Sequence, residues 1–221
     1  MSDHPDVIDR DPFRARLLKY TRQAWGMLPP LDRPKILDIG CGSGLPTIEL
    51  ARWSGGTVVG LDADPEALRR LMDRAASEGL QDRIAAVHSS FLDIRLPSEE
   101  FDVIWAEGVL NIIGFERGLR EWHRLLRPRG FLVAHDEAAG LEQKLSSVHS
   151  LGYELIGHFS LPTDAWWVDY YLPLMKEAEH IAKGRGDAAV QAALAQIKEE
   201  ADRCRSGSEA FRSVFIVLRR R

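Results

Sequence analysis

The fold is decided by the stretch KILDIGCGSGLP at residues 35–46. Its first five residues have the length and apolar character of a buried strand, and Gly40, Gly42 and Gly44 follow immediately. Glycines let the backbone turn tightly and let a ligand approach closely, while Pro46 suits the first turn of a helix. The stretch therefore predicts a strand, a tight turn and a helix whose first N–H groups are free to bind a ligand.

Short apolar segments and amphipathic segments alternate along most of the chain. Segments rich in apolar and β-branched residues predict strands, and segments with apolar residues at helical spacing predict helices. This alternation is typical of an α/β fold with a largely parallel sheet and helices on both faces. The expected strands are 35–39, 57–61, 84–88, 101–106, 131–135, 153–160 and 211–218, and the expected helices are 13–28, 46–53, 65–78, 115–126 and 141–151.

The segment 162–207 interrupts the alternation because it is mostly helical by composition, with a turn expected at residues 184–186. It separates two strand-like segments, so we interpret it as an insertion that either covers the cleft as a lid or is a structural element. We expect a single domain over 1–221, with an N-terminal helix at 10–30, a ligand-binding core at 31–160, this insertion and a last strand at 208–221.

The composition is that of an ordinary globular protein, with 45% hydrophobic and 28% charged residues. The net charge of −4 disfavours a nucleic-acid partner, and we interpret the basic residues 219–221 as a solvated terminus. Cys41 and Cys204 are far apart, which argues against a disulfide scaffold and favours a reducing cytoplasm. We recognise no signal peptide and no membrane-spanning run, so a cytoplasmic protein without a membrane partner is expected.

Polar groups follow five of the expected strands at the points where those strands end. They are the glycine turn, Asp62, Ser89-Ser90, Glu107 and Asp136-Glu137. Ligands of doubly wound sheets bind at the carboxyl ends of the strands, near the point where the strand order reverses. The sequence therefore predicts one cleft at this edge of the sheet.

The glycine turn departs from the dinucleotide-binding fingerprint in two ways. That fingerprint requires glycine where this chain has Leu45, and Asp38 places a carboxylate two residues before the first glycine. A carboxylate there repels a pyrophosphate and suits an ammonium group, so the ligand is expected to carry positive charge near the turn. Asp62, at a strand end, is expected to accept ribose hydroxyls rather than to cap the next helix, which is the expected role of Asp64.

Several segments, in order, resemble the motifs of the class I S-adenosylmethionine-dependent methyltransferases. Residues 38–44 resemble the first motif, residues 60–64 the second, and residues 89–97 the adenine-binding loop. The loop departs from the pattern, because the family's common acid aligns with Ser90 or, after a slip, with Asp93.

Two later segments extend the resemblance. Residues 101–104 resemble the fourth strand, and residues 125–130 resemble the turn before the fifth, with Arg129 where the family usually has glycine. Residues 107–116 and, more weakly, 166–173 resemble a bacterial subgroup thought to act on small molecules.

The resemblance implies a Rossmann-like doubly wound sheet of seven strands, mostly parallel with an antiparallel last strand, and S-adenosyl-L-methionine as the cofactor. Tyr20 is expected either to close over the methionine end of the cofactor or to pack on its own helix face. The cofactor-binding residues implied are Tyr20, Asp38, Gly40, Gly42, Gly44, Asp62, Ala63, Ser90 and Phe91.

Three residues at the ends of the fourth and fifth strands are candidates for a catalytic base: Glu107, His135 and Glu137. For His135 the favoured alternative is a satisfied core histidine, because it ends an apolar strand. Asn111 follows the fourth strand, where members of the family bring the acceptor, so it is a candidate substrate contact.

An aromatic cluster that includes Trp166 and Tyr170 either packs in the core or lines an apolar lid over the acceptor. Residues 135–137 match no strong metal-ligand spacing, so no metal is expected.

The favoured function is methyl transfer to a small-molecule acceptor by in-line displacement. Two alternatives remain at this point. One is an oxidoreductase with a nicotinamide-type dinucleotide, and the other is a non-catalytic module that binds S-adenosylmethionine.

Overall fold

The computed structural model describes residues 7–184, 187–207 and 211–221. They form a seven-stranded sheet with helices on both faces. The strands are β1 (Lys35–Ile39), β2 (Thr57–Asp62), β3 (Ile84–His88), β4 (Phe101–Glu107), β5 (Leu126–Glu137), β6 (Tyr153–Ser160) and β7 (Ser213–Arg220).

The strand order is β3-β2-β1-β4-β5-β7-β6. Neighbouring strands are parallel except at β7, which runs antiparallel to both β5 and β6. The order reverses between β1 and β4, which is the switch point where doubly wound sheets bind ligands. The expected fold class is confirmed.

The helices are α1 (Asp11–Arg14), α2 (Leu18–Trp25), α3 (Leu45–Ser54), α4 (Pro65–Ser77), α5 (Leu110–Ile113), α6 (Phe115–His123), α7 (Leu141–Ser147), α8 (Leu172–Gly184) and α9 (Ala188–Arg205), with a 3-10 turn at Ala15–Leu17 and a π-helix at Trp166–Tyr171. The expected first helix is therefore two helices joined by the 3-10 turn. The expected turn at 184–186 lies partly outside the described residues, as do residues 208–210 of the last segment. Among the described helices, none combines the length and the apolar character needed to cross a membrane.

The expectation of a helix up to residue 126, ended by Pro128, is wrong. Helix α6 ends at His123, and Pro128 lies inside β5. A proline is tolerated there because the pairing of β4 with β5 shifts register between Phe101 and Val103, opposite this part of β5. Arg129 has φ +66°, a left-handed conformation that glycine adopts without strain, which explains why glycine is usual there in the resembling family.

Side chains alternate between the two faces of the sheet, and each face has its own apolar core. Strand β4, for example, sends Ile104 and Ala106 to one core and Val103 and Trp105 to the other. The first core is covered by α5, α6 and α7, and the second by α2, α3 and α4. The second face matters for function, because the polar residues at the strand ends emerge from it.

A third apolar cluster joins the N-terminal segment to the insertion. It packs Ile8, Phe13 and Leu17 against the π-helix, α8 and α9. An ion pair between Arg10 and Glu200, with an N–O distance of 2.8 Å, adds a polar contact. We call the assembly of α1, the 3-10 turn, α2, the π-helix, α8 and α9 the cap.

Candidate active site

A row of side chains crosses the carboxyl edge of the sheet on the face that the cap covers. Asp38 shares that face with Trp105, its register partner in β4, and Glu107 stands two residues beyond Trp105. Glu107 is the register partner of His135, which in turn pairs with Phe215 in β7. The row therefore runs across four adjacent strands, from the glycine turn to the antiparallel strand.

The row forms the floor of a cavity of about 540 Å³. This volume lies within the usual range for sites that bind small molecules. One half is lined by the glycine turn and α2, and the other half by β5, β7 and the π-helix. Of the residues expected to form the site, the cavity is lined by Tyr20, Asp38, Gly40, Gly42, Glu107, Asn111, His135, Glu137, Trp166 and Tyr170.

The three glycines of the turn have different structural reasons for being glycine. All three have positive φ, but a Cβ on Gly40 would lie 2.2 Å from Val109, and one on Gly44 would lie 2.2 Å from Leu71. A Cβ on Gly42 would meet nothing within 4 Å. Packing therefore requires glycine at Gly40 and Gly44, whereas at Gly42 the backbone is open towards the cavity.

Asp62 and Asp64 differ as their positions in the sequence suggest. Asp62 accepts hydrogen bonds from the backbone N–H groups of Gly42, at 2.8 Å, and Asp64, at 2.9 Å. The side chain of Asp64 accepts from the N–H of Glu66 at 2.9 Å and caps α4, as expected.

Asp38 is a buried carboxyl group at the cofactor half of the cavity, with only 2% of its surface exposed. Thr47, in the first turns of α3, donates a hydrogen bond of 2.6 Å to its Oδ2. Burial raises the pKa of Asp38 to about 7, and the charges of Glu107 and Asp62 add to that effect. A positive ligand group beside Asp38 would restore its charged form.

His135 lies between aromatic rings. It stacks on Phe215, with ring centroids 4.7 Å apart, and on Trp166, at 6.1 Å. Its Nε2 is buried and has no hydrogen-bond partner among the described residues. Burial lowers the pKa of His135 to about 4, so the ring is neutral at pH 7. The expectation of a satisfied core histidine therefore fails for Nε2.

The π-helix supplies the aromatic wall of the second half of the cavity. The indole N–H of Trp166 donates to Ser213 Oγ at 3.1 Å, and Tyr170 packs edge-on against Trp166. Tyr170 and Tyr171 are also members of the cap core, so the aromatic cluster is both packing and lining. π-helical turns are rare and often occur at functional sites.

Tyr20 connects α2 to the π-helix. Its hydroxyl donates to Asp169 Oδ2 at 3.0 Å, and Lys19 Nζ lies 2.8 Å from Oδ1 of the same carboxylate. Tyr20 also lines the cavity and is 9% exposed. Tyr20 is thus packed in the apolar core and lines the cavity, while its contact with the methionine end of the cofactor stays a prediction.

Five residues implied by the resemblance do not line the cavity: Gly44, Asp62, Ala63, Ser90 and Phe91. Gly44 faces Leu71, while Ala63, Ser90 and Phe91 lie beyond the ends of β2 and β3. Ser90 uses its hydroxyl to accept from the N–H of Leu92 at 3.2 Å. Ala63, Ser90 and Phe91 thus lie outside this chamber, beside β2 and β3.

Residues 135–137 are considered as metal ligands because they include a histidine and two carboxylates. Asp136, in the run 135–137, is paired with Lys144 at 2.7 Å on the opposite side of β5 from the cavity row. Among residues 7–184, 187–207 and 211–221, no group of three His, Cys, Asp or Glu side chains could hold a metal ion.

Comparison with known proteins identifies the core. A methyltransferase domain model matches residues 36–130, from β1 to the start of β5. The chain is 35% identical over 133 residues to the methyltransferase GfsG of Streptomyces halstedii, covering 60% of this chain and 48% of that protein. It is 31% identical over 149 residues to the 27-O-demethylrifamycin SV methyltransferase of Amycolatopsis mediterranei, covering 65% and 55%. The chain thus spans about half the length of these relatives.

The fold agrees with this match. A crystal structure of an S-adenosylmethionine-dependent methyltransferase from Geobacter sulfurreducens, in complex with S-adenosyl-L-homocysteine, superposes with a TM-score of 0.73 at 20% identity, covering 100% of this chain and 94% of that one. Residues 36–130 therefore form a methyltransferase domain, and the chain has the fold of the S-adenosylmethionine-dependent methyltransferases. The cofactor of this family is S-adenosylmethionine, which makes the expected dinucleotide alternative the disfavoured one.

The residues present around the glycine turn fit that cofactor. Gly42 leaves room for a ligand against the backbone, and the buried Asp38 is suited to an ammonium group. Each carboxylate oxygen of Asp62 makes one described hydrogen bond and has a second lone pair for a ribose hydroxyl. The fit therefore rests on space at the turn and on charge beside it.

Several residues of the candidate site are not identified by reasoning from the sequence. Thr47 and Thr21 each donate a hydrogen bond to a carboxylate that lines the cavity. Asp169 accepts a hydrogen bond from the Tyr20 hydroxyl. Ser213 and Phe215 line the cavity from β7. Thr47 could have been found, because it stands one turn into the helix that follows the glycine loop. Asp169 and Ser213 could not, since only the fold brings the insertion and β7 to the cavity.

Proposed function

We propose that this chain transfers a methyl group from S-adenosylmethionine to a small-molecule acceptor that lies over β5 and β7, beneath the π-helix. The observation that carries the proposal is the continuity of the cavity. It joins the open backbone at Gly42 to the wall formed by Trp166 and Tyr170, with Glu107 between the two halves.

The cofactor, when bound, supplies an activated methyl group on a sulfonium. The chain then has mainly to orient the acceptor and to exclude water, and orientation of this kind is worth roughly 7–11 kcal/mol. We assign Asp38 and Tyr20 to the methionine end and Asp62 to the ribose. The adenine is assigned to the segment beyond β2 and β3, at Ala63, Ser90 and Phe91. The rings of Trp166, Tyr170 and Phe215 favour an acceptor that contains a ring or another flat apolar body.

His135 is the proposed proton acceptor for an acceptor hydroxyl or amine. Its ring lines the cavity, it is neutral at pH 7, and its Nε2 lacks a partner among the described residues. Glu137, two residues on and on the same side of β5, is the alternative base, and Asn111 is assigned to the acceptor.

The surroundings of the cavity support a metabolite as the acceptor. The cap encloses the chamber, and the chain has a net charge of −4, which does not favour a nucleic acid. The relative from Amycolatopsis mediterranei carries the name of a rifamycin methyltransferase, which is a small-molecule activity of that protein. We further infer one catalytic domain over 1–221, with the insertion acting as a lid, and a reducing cytoplasm, since Cys41 and Cys204 are free and buried.

The test is transfer of labelled methyl groups from S-adenosylmethionine to a panel of hydroxyl- and amine-bearing ring metabolites. Methylation of a panel member, lost in His135→Phe, is the expected result. Calorimetry on the same preparation measures binding of S-adenosylhomocysteine and of a nicotinamide dinucleotide. Tight binding of the dinucleotide alone would overturn the proposal, and cofactor binding without transfer to any acceptor would favour a non-catalytic module.

A further inference from the structure

The side chain of Glu107 is held in place by two hydrogen bonds from buried side chains. Its Oε1 accepts two hydrogen bonds, from Trp105 Nε1 at 2.7 Å and from Thr21 Oγ1 at 3.0 Å. Trp105 and Thr21 are themselves buried, in β4 and α2. The carboxylate is thus held in one orientation between the sheet and the cap, with Oε2 left for a further partner.

Glu107 lies between the two halves of the cavity, and its charge acts on Asp38. The pairing of Ile39 with Ala106 brings the end of β4 beside the start of the glycine turn. The charge of Glu107 is one of the causes that raise the pKa of Asp38. The two carboxyl groups line the same chamber at the point where Gly42 leaves the backbone open.

We propose that Glu107 is a cofactor-positioning residue: with Asp38 it receives the α-ammonium group at the methionine end of S-adenosylmethionine, and it does not act as the general base. This inference rests on the proposed function, because it requires that cofactor in this chamber. Two buried carboxylates can both form charge-assisted hydrogen bonds to one ammonium group. Without a cation between them, their negative charges repel each other.

A proton is linked to this arrangement. Burial raises the pKa of both Asp38 and Glu107, so the pair retains a proton near neutral pH when no cation is present. The ammonium group favours the charged forms, and the proton is released to solvent as the ligand binds. Asp62 also acts on Asp38. The other titratable or charged residues that line the cavity are Arg10, Arg14, Tyr20, Cys41, His135, Asp136, Glu137, Tyr170 and Tyr171.

The experiment compares two ligands that differ at the methionine end. S-Adenosylhomocysteine carries the amino-acid group, and 5′-methylthioadenosine lacks it. Calorimetry near pH 7, in buffers with different ionisation enthalpies, measures both affinity and proton release. For the wild-type protein we expect release of up to about one proton with S-adenosylhomocysteine and none with 5′-methylthioadenosine.

The variant Glu107→Gln should lower the affinity for S-adenosylhomocysteine by about tenfold or more, with little change for 5′-methylthioadenosine. Thr21→Val, which retains the carboxylate and loses one of its two donors, should give a smaller loss of the same kind. Glu177→Gln, on an exposed position of α8 outside the cavity lining, is the control and should change neither affinity.

Three outcomes would overturn the inference. An unchanged affinity of Glu107→Gln for S-adenosylhomocysteine, with reduced turnover, would make Glu107 a base. Equal losses for both ligands would make its role purely structural. Equal proton release with both ligands would remove the ammonium group as its cause. If the wild-type protein bound neither ligand, the proposed function itself would fail.

Discussion

The carboxylate of Asp62 accepts a hydrogen bond from the backbone N–H of Gly42 at 2.8 Å, which ties the end of β2 to the middle of the glycine turn. The other oxygen of the carboxylate accepts from the N–H of Asp64. The Asp62 side chain thus holds the glycine turn in place, and each of its oxygens keeps a lone pair that can accept a hydrogen bond from a ligand.

Asp62→Ala should weaken binding of S-adenosylhomocysteine by more than about tenfold, because it leaves ribose hydroxyls without acceptors and frees the turn. Isothermal calorimetry measures the affinity, and circular dichroism checks the fold. Asp64→Ala is the control: it removes a helix cap worth about 1 kcal/mol and should lower the melting temperature without changing affinity. An affinity for the cofactor product that survives Asp62→Ala would remove the ribose assignment.

The open space at Gly42 leads to a prediction that separates it from its neighbour Gly44. Gly42→Ala should fold, with a cost of about 1–2 kcal/mol for its left-handed backbone, and should lose cofactor binding because the methyl group occupies the ligand's space. Gly44→Ala should lower stability further, since its Cβ would lie 2.2 Å from Leu71. Denaturant titration and calorimetry distinguish the two effects, and cofactor binding by Gly42→Ala at wild-type affinity would contradict this reading.

The buried carboxyl group of Asp38 should make the ligand-free protein sensitive to pH. Its folded-state pKa of about 7 exceeds the unfolded value of 3.8, so the folded state binds more protons between these values and loses stability as pH rises through 7. Asp38→Asn should therefore melt higher than wild type at pH 8, and the difference should shrink as the pH is lowered from 7 towards the unfolded value of 3.8. Each kcal/mol corresponds to roughly 2–4 °C in a chain of this size. A melting difference that is constant across this range would show that ionisation of Asp38 is not involved.

His135→Phe should reduce kcat by about 10²-fold or more while leaving the affinity for S-adenosylhomocysteine unchanged, because it removes the proposed proton acceptor and retains the ring stack. Burial lowers the pKa of His135 to about 4, so the neutral base is present above that value and its contribution is lost as pH falls through 4. We expect no activity limb from this residue between pH 6 and 8. Stopped-time assays of labelled transfer measure the rate, and an active His135→Phe enzyme would shift the role to Glu137.

The contact between Tyr20 and Asp169 should control how firmly the cap closes. Asp169→Ala removes the acceptor of the Tyr20 hydroxyl and should speed release of the cofactor product severalfold, measured by rapid dilution with fluorescence detection. Lys19→Ala removes only the partly exposed ion pair with the same carboxylate, which is worth about 0–1 kcal/mol, and should have a smaller effect. Equal release rates in Asp169→Ala and wild type would show that the cap does not hold the ligand.

The part of the candidate site around the glycine turn could be predicted from the sequence, because its residues are close together in the chain. The glycine turn, Asp38 and Asp64, which caps the N-terminus of α4, lie within a few residues of a strand end. Backbone geometry sets their surroundings there. The strands 84–88 and 153–160 were also predicted with the bounds that the structure shows.

The half of the cavity near β5, β7 and the π-helix could not be predicted in the same way, because it is assembled from segments that are distant in the sequence. Ser213 reaches the cavity only through the antiparallel pairing with Glu137, and Trp166 only through the packing of the insertion on the N-terminal segment. The start of β5 was missed for a different reason. Pro128 is a helix breaker in sequence terms, and only the register shift opposite it makes a strand possible there.

The position of β7 has a consequence for how the protein is made. Strand β6 has β7 as its neighbour in the sheet, and β7 lies between β5 and β6 although it comes more than 50 residues later in the chain. During synthesis, β5 therefore has an unpaired edge until the insertion and β7 have been made. An unpaired strand edge is prone to pairing with other chains. Ribosome stalling within the insertion would yield a nascent chain that already contains the glycine turn but has no finished acceptor wall.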